Sequence, residues 1–330
     1  MAYFYDMILI TGGTGLVGAY LIEQLLAKNQ RLRILYRTQK KRTQLLAFLH
    51  RKGRTEKQLH LLEFIQGDLN SPSDLFEVTK SVSCTFHCAA LISFDKKDRK
   101  NLFEINSNGT KDLVNAAIEN KVAKFIYVSS IAAMEQEQYT DYGKSKQLGE
   151  LEVWRAAQEG LKTYIVRPGV ILGATPDKHP LRQLIQSVNN GISYRFPGSS
   201  GFIHIKTVVD CLLQLHKINT TIQYPLTLVS SNSPYNEFIE IINANFKRPL
   251  AKKEVSKKWL IALASIIENT SNLLGLKSSL TVHLVRTLYQ RVSYETTNQI
   301  APFKDIKTFS LNEMLVDLIE SEHYFPIVRD

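Results

Sequence analysis

The segment ILITGGTGLVGAYLIEQLL (8–26) places four glycines between an apolar, strand-like run and an apolar-faced helical run. Gly12, Gly15 and Gly18 stand three residues apart, directly after the strand. Glycine permits a tight turn and a close approach of backbone to phosphate, and the helix N-terminus adds free N–H groups and the positive end of its dipole. The spacing TGxxGxxG differs from the GxGxxG fingerprint, so the strand–turn–helix context carries the interpretation. The segment predicts a pyrophosphate cradle, with a plain glycine-rich turn as the alternative.

Apolar runs alternate with helical patterns through the first half of the chain. The runs are MILIT, RLRILYR, LLEFIQGD, CTFHCAA, KFIYVSS and KTYIVRPG. Such alternation is typical of βαβ units and predicts an α/β fold, a doubly wound parallel sheet of the Rossmann type. We expect this nucleotide-binding domain to cover residues 1–173, with 202–231 returning to it. We expect a smaller, substrate-binding part from 174–201 and 232–330.

The charge balance limits the classes of partner. The chain has 41 basic and 31 acidic residues among 330, a net charge of +10. Such a surplus invites an anionic partner, although one spread along the chain is the more ordinary mark of a solvated exterior. The sequence has no zinc-finger spacing and no basic motif interleaved with aromatic residues, so we expect no nucleic-acid partner. No cluster has metal-ligand spacing, and His87 and His204 are predicted to be structural.

The cysteines and the apolar segments indicate the cellular compartment of the protein and its relation to membranes. Three sparse cysteines, Cys84, Cys88 and Cys211, favour a reducing compartment, and with no signal peptide indicated we expect a cytoplasmic protein. The most apolar later segment, WLIALASIIENTSNLLGL (259–276), carries Glu268 and two asparagines, so no transmembrane span is expected. This segment could lie on a membrane surface, but an ordinary amphipathic helix is the simpler interpretation.

The end of the second apolar run bears on the kind of dinucleotide. A fold that prefers NAD normally carries an acid here, which binds the ribose 2′-hydroxyl. The corresponding position, 19 residues beyond Gly18, holds Arg37, and three further basic residues follow at 40–42. A guanidinium can bind a 2′-phosphate bidentately, whereas a carboxylate would repel it. The sequence therefore predicts NADP(H) over NAD(H), the alternative being the basic start of a solvated helix. Asp68, after the third run, could accept from the adenine amino group or simply form a turn.

A serine, a tyrosine and a lysine form the candidate catalytic set. Ser129 and Ser130 end the run KFIYVSS, and Tyr142 and Lys146 follow four residues apart. On a helix these two side chains share a face, where an ammonium would lower the pKa of a phenol. Ser130 could hold a substrate oxygen against that phenol. A tyrosine–lysine pair alone occurs by chance in many proteins. Its place after a glycine turn and a serine-ended strand predicts catalysis rather than a surface helix.

Together these motifs resemble the extended short-chain dehydrogenase/reductase superfamily, often labelled NAD-dependent epimerase/dehydratase. The resemblance covers about residues 7–215 and rests on TGGTGLVG (11–18), GDL (67–69), HCAA (87–90), NSNGT (106–110), YVSS (127–130), YGKSK (142–146), VRPGVILG (166–173) and FIHIKTVVD (202–210). It implies that Tyr142 is the general acid/base, Lys146 its pKa partner and ribose ligand, and Ser130 the oxygen-orienting hydroxyl. It also implies that Asn106 either acts or supports the helix, and that the chain forms a homodimer.

The same resemblance implies a set of cofactor contacts. They are Thr11, Gly12, Thr14, Gly15, Leu16, Val17, Gly18, Arg37, Asp68, Leu69, Ala89, Ala90, Tyr142, Lys146, Pro168, Gly169 and Val170. Ala89 and Ala90 are the small residues that let the cofactor pass over the sheet. Residues 168–170 lie beside the nicotinamide carboxamide.

Departures from the family pattern narrow the expected reaction. Ile131 and Ala132 stand where family dehydratases carry an acidic pair, and VRPGVILG lacks the aromatic–Asn pair of sugar-nucleotide epimerases. The segment between Ser130 and Tyr142 is also short for the extended group. The motifs look more like the dihydroflavonol reductase and 3β-hydroxysteroid dehydrogenase branch. We therefore expect an NAD(P)-dependent oxidoreductase that interconverts a carbonyl and a secondary alcohol on an apolar small molecule. The alternatives are an epimerase acting on a nucleotide sugar and a non-catalytic NADP-binding protein.

Overall fold

The structure is a computed structural model that describes residues 7–134, 140–174, 180–191, 194–249, 254–274, 276, 278, 280–297 and 303–323. Most of the segment between Ser130 and Tyr142 that the sequence marks as short, residues 135–139, lies outside the described residues. Parts of the expected C-terminal ranges, including 175–179 and 324–330, lie outside them too.

The described residues form ten strands. They are β1 (Met7–Thr11), β2 (Arg31–Tyr36), β3 (Leu62–Gln66), β4 (Cys84–His87), β5 (Lys124–Val128), β6 (Lys162–Pro168), β7 (Val170–Leu172), β8 (Ser199–His204), β9 (Leu226–Leu228) and β10 (Ser231–Pro234). Seven of them make one parallel sheet in the order β3-β2-β1-β4-β5-β6-β9. Every residue of β1 and β5 is buried, because helices cover both faces of the sheet. The doubly wound parallel sheet predicted from the alternating runs is confirmed.

Thirteen α-helices occur among the described residues. They are α1 (Leu16–Ala27), α2 (Gln39–Arg51), α3 (Glu56–Leu59), α4 (Pro72–Thr79), α5 (Arg99–Phe103), α6 (Gly109–Glu119), α7 (Asp141–Gln158), α8 (Pro180–Asn189), α9 (Ile205–Lys217), α10 (Tyr235–Asn245), α11 (Lys257–Leu273), α12 (Val282–Tyr289) and α13 (Leu311–His323). Helices α1, α2 and α9 bury their apolar faces on one side of the sheet, and α4, α6 and α7 on the other. Two apolar cores therefore enclose the sheet as a middle layer.

A second, smaller layer forms from the C-terminal part. Strand β8 lies between β7 and β10, and α8, α10 and α13 pack against these strands in a third apolar core. Helix α13 begins with a capping box formed by Ser310 and by Glu313 three residues later: the Ser310 amide donates to Glu313 Oε2 over 2.7 Å, and the Glu313 amide donates to Ser310 Oγ over 3.3 Å. Helix α13 thereby closes over the small sheet.

The segment 202–231 divides between the two sheets. Strand β9 pairs with β6 and extends the large sheet, whereas β8 belongs to the small one. His204 ends β8, accepts from the Lys206 amide at the start of α9 and contacts Asp317 Oδ2 of α13 over 3.1 Å. That contact holds the pKa of Asp317 down at about 2. His204 therefore joins the small sheet to α13, and the domain boundaries themselves stay a prediction.

Candidate active site

The glycine loop lies at the point where the strand order of the large sheet reverses. Loops that follow β1 and β4 meet there, outside the carboxyl ends of neighbouring strands, which is where doubly wound folds bind ligands. Gly12 has a φ of +69°, and a Cβ built on it would lie 2.5 Å from the backbone nitrogen of Ala89. The structure thus brings together two of the segments expected to contact a dinucleotide.

Two of these glycines differ in what surrounds them. A Cβ on Gly18 would lie 2.3 Å from the Gly12 carbonyl oxygen, so the fold itself requires glycine there. A Cβ on Gly15 would meet only that same oxygen, at 3.4 Å, which is ordinary contact. Gly15 is exposed, has a φ of −89° and stands at the N-cap of α1 without a side chain to satisfy the first-turn amides. The space over Gly15 and the free amides of residues 16–18 fit the pyrophosphate of a dinucleotide.

The remaining loop residues expected to contact the cofactor lie around this cradle. Thr11 ends β1, and Thr14 is half-buried in the loop. Leu16 and Val17 form the first turn of α1 and pack in part on the apolar core. Ala90 is exposed beyond β4. The loop therefore offers backbone N–H donors on one side and apolar side chains on the other.

Basic residues gather at the end of β2, as the sequence indicates. Arg37 is exposed directly after β2, and within the described residues no ion pair engages its guanidinium. Burial lowers the pKa of Lys41, and the positive charges of Arg37 and Lys40 lower it further. The Arg42 guanidinium instead lies 4.7 Å from the centre of the Phe64 ring. Arg37 and the two lysines thus create a local positive field that an anion would relieve.

Asp68 adopts the turn that the sequence left as one of its two interpretations. Its Oδ1 accepts from the Asn70 amide over 2.9 Å, and its own amide donates to Asp74 Oδ2 over 3.0 Å. The neighbouring Leu69 is buried in the core beneath α6. The loop after β3 is therefore fixed by its own hydrogen bonds.

Residues 168–170 connect the two sheets. Pro168 ends β6, Val170 begins β7, and the Gly169 amide donates to the Leu228 carbonyl of β9 over 2.9 Å. A Cβ on Gly169 would lie 2.5 Å from the Gly201 carbonyl oxygen of β8. This crossing places the three residues at the carboxyl end of β6, beside the end of β5.

Ser130 and Tyr142 are brought together by the way α7 begins. Thr140 caps the helix by accepting from the Gly143 amide over 2.6 Å. Gly143 lets the helix approach the short 3-10 turn Ile131–Met134, because a Cβ there would lie 2.4 Å from the Ala132 carbonyl oxygen. The Ser130 side chain, which comes just before that turn, accepts from the Ala132 amide over 3.2 Å and lies near enough to the phenol of Tyr142 to influence its pKa. The two hydroxyls of the predicted set are therefore neighbours.

The electrostatics of Tyr142 differ from the sequence expectation. Burial raises the pKa of the phenol to about 12, with the nearby Ser130 side chain acting in the opposite direction. Lys146 Nζ donates to the Val128 carbonyl over 2.7 Å and lies 4.2 Å from the centre of the Tyr127 ring. Burial also lowers the pKa of Lys146 to about 7. The lysine does not draw the phenol pKa down here, because burial disfavours the charged form of both groups.

Beside Lys146 lies an ion pair between the buried Glu150 and the half-buried Arg167, which sequence reasoning missed. The Glu150 carboxylate accepts hydrogen bonds from Arg167 Nε over 2.8 Å and from Arg167 Nη2 over 2.5 Å. Ser129 Oγ donates to the same carboxylate over 2.5 Å. Glu150 favours the charged form of Lys146 and so raises its pKa against the effect of burial. Spacing could have found this residue, since Tyr142, Lys146 and Glu150 follow one another at intervals of four on α7. Ser129 thus turns to the ion pair and Ser130 to Tyr142.

His87 and Asn106 are both held by hydrogen bonds within the fold. His87 is fully buried and contacts the hydroxyls of Thr11 at 2.6 Å and Thr110 at 2.9 Å, and burial lowers its pKa to about 3. The prediction of a structural His87 is therefore confirmed. Asn106 donates to the Leu91 carbonyl over 2.9 Å and to Ser145 Oγ over 3.0 Å, and it accepts from the Leu91 amide. Asn106 therefore holds the loop after β4 against α7.

A cavity of about 430 Å³ opens beside Tyr142. Its lining residues are Ser93, Phe94, Asp95, Lys96, Thr140, Asp141, Ser265, Glu268, Asn269, Val282, His283 and Arg286. The Phe94 ring stacks on His283 at 5.7 Å and meets the Tyr142 ring edge-on at 6.1 Å. Only Phe94 and Val282 in this lining are hydrocarbon side chains, so the cavity is more polar than the sequence led us to expect. The sequence carried no signal for Phe94 or His283, because the contact depends on helices far along the chain.

The fold and this arrangement define a nucleotide-binding α/β protein with a serine–tyrosine–lysine set at the sheet edge. A family model described as the NAD dependent epimerase/dehydratase family matches residues 8–223. The chain belongs to that enzyme family, within the extended short-chain dehydrogenase/reductase superfamily, as the motifs indicated.

Comparison with individual proteins agrees with this family. Sterol demethylase protein B of Methylococcus capsulatus is 27% identical over 219 residues, 61% of this chain and 63% of that protein. A putative dihydroflavonol 4-reductase of Synechocystis sp. is 30% identical over 185 residues, 51% of this chain and 50% of that protein. The alignments thus span less than two thirds of either relative.

Solved structures share the fold over nearly the whole chain. UDP-glucuronic acid 4-epimerase from Bacillus cereus, solved with UDP-glucuronic acid and NAD, superposes with a TM-score of 0.74 at 16% identity, over 97% of this chain and 99% of that one. At this identity the likeness shows the fold alone. Among the described helices, none has the length and apolar character needed to cross a bilayer.

Proposed function

We propose that the protein is an NADP(H)-dependent oxidoreductase that interconverts a carbonyl and a secondary alcohol, with Tyr142, Ser130 and Lys146 as its catalytic residues. The observation that carries the proposal is the buried Tyr142 phenol with the Ser130 side chain beside it and Lys146 one turn further along α7, at the carboxyl edge of the sheet next to the glycine cradle. The bound dinucleotide would supply or accept the hydride.

The chain's own residues handle the proton. With a pKa near 12, the phenol of Tyr142 is protonated at neutral pH, which suits donation to a carbonyl oxygen during reduction. Ser130 would donate to the same oxygen and hold it within reach of the phenol. Lys146, held by the Val128 carbonyl, would bind the ribose of the dinucleotide. In the reverse direction Tyr142 must first lose its proton, so alcohol oxidation would rise with pH.

The glycine cradle and the basic cluster would hold the cofactor. The first-turn amides of α1 would bind the pyrophosphate, and Ala89 and residues 168–170 would border the remainder of the dinucleotide. Arg37 would bind a ribose 2′-phosphate, which favours NADP(H) over NAD(H). The positive charges that lower the pKa of Lys41 support this preference.

The cavity beside Tyr142 refines the substrate class. Phe94 and Val282 offer hydrocarbon contact, while His283 and Arg286 offer donors. This combination suits a ketone or alcohol with an apolar body and a polar group, rather than a wholly apolar one, and Asp95, Asp141 and Glu268 in the same lining disfavour a carboxylate. The names of the two relatives, a sterol demethylase protein and a dihydroflavonol reductase, agree with an apolar body.

The decisive experiment screens ketones with matched apolar bodies, with and without a carboxylate, for oxidation of NADPH. On a ketone that is turned over, Tyr142→Phe should lower kcat by about a hundredfold or more while cofactor affinity stays within about twofold. Tyr164→Phe is the matched control, since its hydroxyl bonds the Thr220 carbonyl away from the site. Near-wild-type turnover by Tyr142→Phe would refute the assignment.

An epimerase is the second candidate, supported by the family's name and by the structural likeness to a sugar-nucleotide epimerase. An epimerase would keep its dinucleotide through purification and would convert a nucleotide sugar without net consumption of NAD(P)H. Net oxidation of NADPH in proportion to product therefore separates the two. A chain that binds the dinucleotide without either activity would mark the third, non-catalytic alternative.

A further inference from the structure

Helix α11 presents a row of large apolar side chains to solvent. Trp259, Ile266 and Leu273 are 62%, 61% and 87% exposed, and Leu274 and Leu276 just beyond the helix are 69% and 59% exposed. Intervals of seven residues return to nearly the same side of a helix, so the first three form one stripe. These five residues are called the α11 patch below.

The opposite side of α11 is already satisfied by the fold. Ala264 is fully buried there, and Glu268 accepts from the Val282 amide over 2.9 Å at the start of α12. The patch therefore is not an inward face that has lost its cover. Contiguous exposed apolar residues of this size mark an interaction surface.

The loop after β4 extends the patch toward the candidate active site. Lys97 Nζ donates to the Ser271 carbonyl over 2.9 Å, and the Ser278 amide donates to Asp95 Oδ2 over 3.0 Å. These bonds hold the loop against the end of α11. Ile92 and Phe94 on the same loop are 64% and 44% exposed.

The charges around the patch are arranged so that the positive ones face water. The acids point inward: Asp98 accepts from Ser93 Oγ over 2.7 Å, and both Asp95 and Glu268 accept from backbone amides. Exposed lysines lie at both ends of α11: Lys257 and Lys258 at its start, and Lys97, whose Nζ donates to the Ser271 carbonyl, at its end. Lys96 instead pairs with Glu268 on the side of α11 away from the patch. An apolar stripe flanked by exposed lysines is the pattern of helices that lie in a membrane interface.

We propose that the α11 patch docks on the surface of an anionic lipid bilayer, with α11 lying in the interface rather than spanning it. Anionic lipids complement the lysines at both ends of the stripe, and the net charge of +10 adds a long-range attraction. If the patch instead bound a second copy of this chain, the lysines of the two copies would face each other and repel. Docking in this way would present Phe94, and through it Tyr142, to the lipid phase. That last consequence rests on the proposed function, whereas docking itself does not.

The test uses the full chain and the position of its two tryptophans. In a Trp154→Phe background, Trp259 is the single tryptophan and reports directly on the patch. Phosphatidylcholine vesicles containing phosphatidylglycerol should shift its emission to the blue and carry the protein down on sedimentation. Pure phosphatidylcholine should do so less, and added salt should weaken the effect. Replacing Leu273 and Leu274 together by Ser should weaken vesicle binding by about tenfold or more.

Leu151→Ser is the matched control, because Leu151 is 56% exposed on α7, outside the patch. Unchanged thermal unfolding of all variants would show that their fold is intact. Absence of binding to anionic vesicles, or equal binding by the patch variant and the control, would overturn the proposal. A wild-type dimer that becomes a monomer in the patch variant, without vesicle binding, would assign the patch to a second copy and would also overturn it. Since no turnover is measured, failure of the proposed function leaves this result unaffected.

Discussion

The amine of Lys146 lies 2.7 Å from the carbonyl oxygen of Val128, the last residue of the strand that leads to Ser130. This bond holds the lysine against the strand end rather than against solvent. Burial there lowers its pKa to about 7, from an ordinary value of 10.5. Folding therefore changes the protonation of Lys146 within an accessible pH range.

The stability of the cofactor-free protein should report that change. Between pH 7 and 10.5 the unfolded chain binds more protons at Lys146 than the folded chain does. The contribution of Lys146 to the free energy of unfolding therefore increases with pH across this range. Lys146→Met removes that contribution. Urea unfolding near pH 7 and near pH 9 should show the difference between wild type and Lys146→Met growing in favour of wild type.

Lys144→Met is the control for this measurement, because Lys144 is exposed on the same helix. Its pH dependence should follow that of wild type. Parallel curves for wild type and Lys146→Met would contradict the shifted pKa.

Gly15 and Gly18 should respond differently to the same methyl group. Gly18→Ala would force a Cβ to within 2.3 Å of the Gly12 carbonyl and should destabilise the fold by about 2 kcal/mol or more. Gly15→Ala meets nothing closer than 3.4 Å and should leave stability within about 1 kcal/mol. The added methyl would occupy the proposed pyrophosphate space, so cofactor affinity should fall at least about tenfold.

Denaturant unfolding and cofactor titration on both variants separate the two effects. Unchanged cofactor affinity in Gly15→Ala would remove the phosphate assignment, whatever the stability of Gly18→Ala.

Arg37 should discriminate between the two nicotinamide dinucleotides. Arg37→Ser removes the guanidinium proposed to bind the 2′-phosphate, and a charge-assisted bidentate contact contributes about 1.5–3 kcal/mol. The dissociation constant for NADPH should therefore rise about tenfold to a hundredfold, while that for NADH stays nearly constant. Arg31→Ser is the control, because Arg31 is exposed at the other end of the same strand. Equal losses for NADH and NADPH, or tighter binding of NADH by wild type, would count against the assignment.

The ion pair between the buried Glu150 and the half-buried Arg167 should show strong coupling. Arg167→Met leaves the Glu150 carboxylate buried without its partner and should cost about 2–4 kcal/mol of unfolding free energy. Adding Glu150→Gln removes the stranded charge, so the double variant should be less destabilised than the sum of the single variants. Arg155→Met, which breaks more exposed ion pairs on α7, should cost less than about 1 kcal/mol. Additive effects in the double-mutant cycle would show that the two side chains act independently.

Local patterns were sufficient for most of the large sheet. The alternation of apolar runs with helical patterns predicted six of its seven strands, because strands covered on both faces must be continuously apolar, and β9 was not among the predicted runs. The glycine spacing predicted the turn after β1, and the four-residue spacing placed Tyr142 and Lys146 on one helix face.

The tertiary structure decided what these residues face. Burial of Tyr142 and Lys146 set the direction of both pKa shifts, and burial depends on elements that sequence spacing does not relate. Phe94 and His283 lie 189 positions apart in the chain, yet their rings stack beside Tyr142. The sequence by itself therefore determined the fold family and the chemical groups of the candidate site, since these follow from short-range periodicity and motif spacing. Only the tertiary structure decided their solvation, the polarity of the neighbouring cavity and the exposure of the α11 patch, since each depends on which distant segments exclude water.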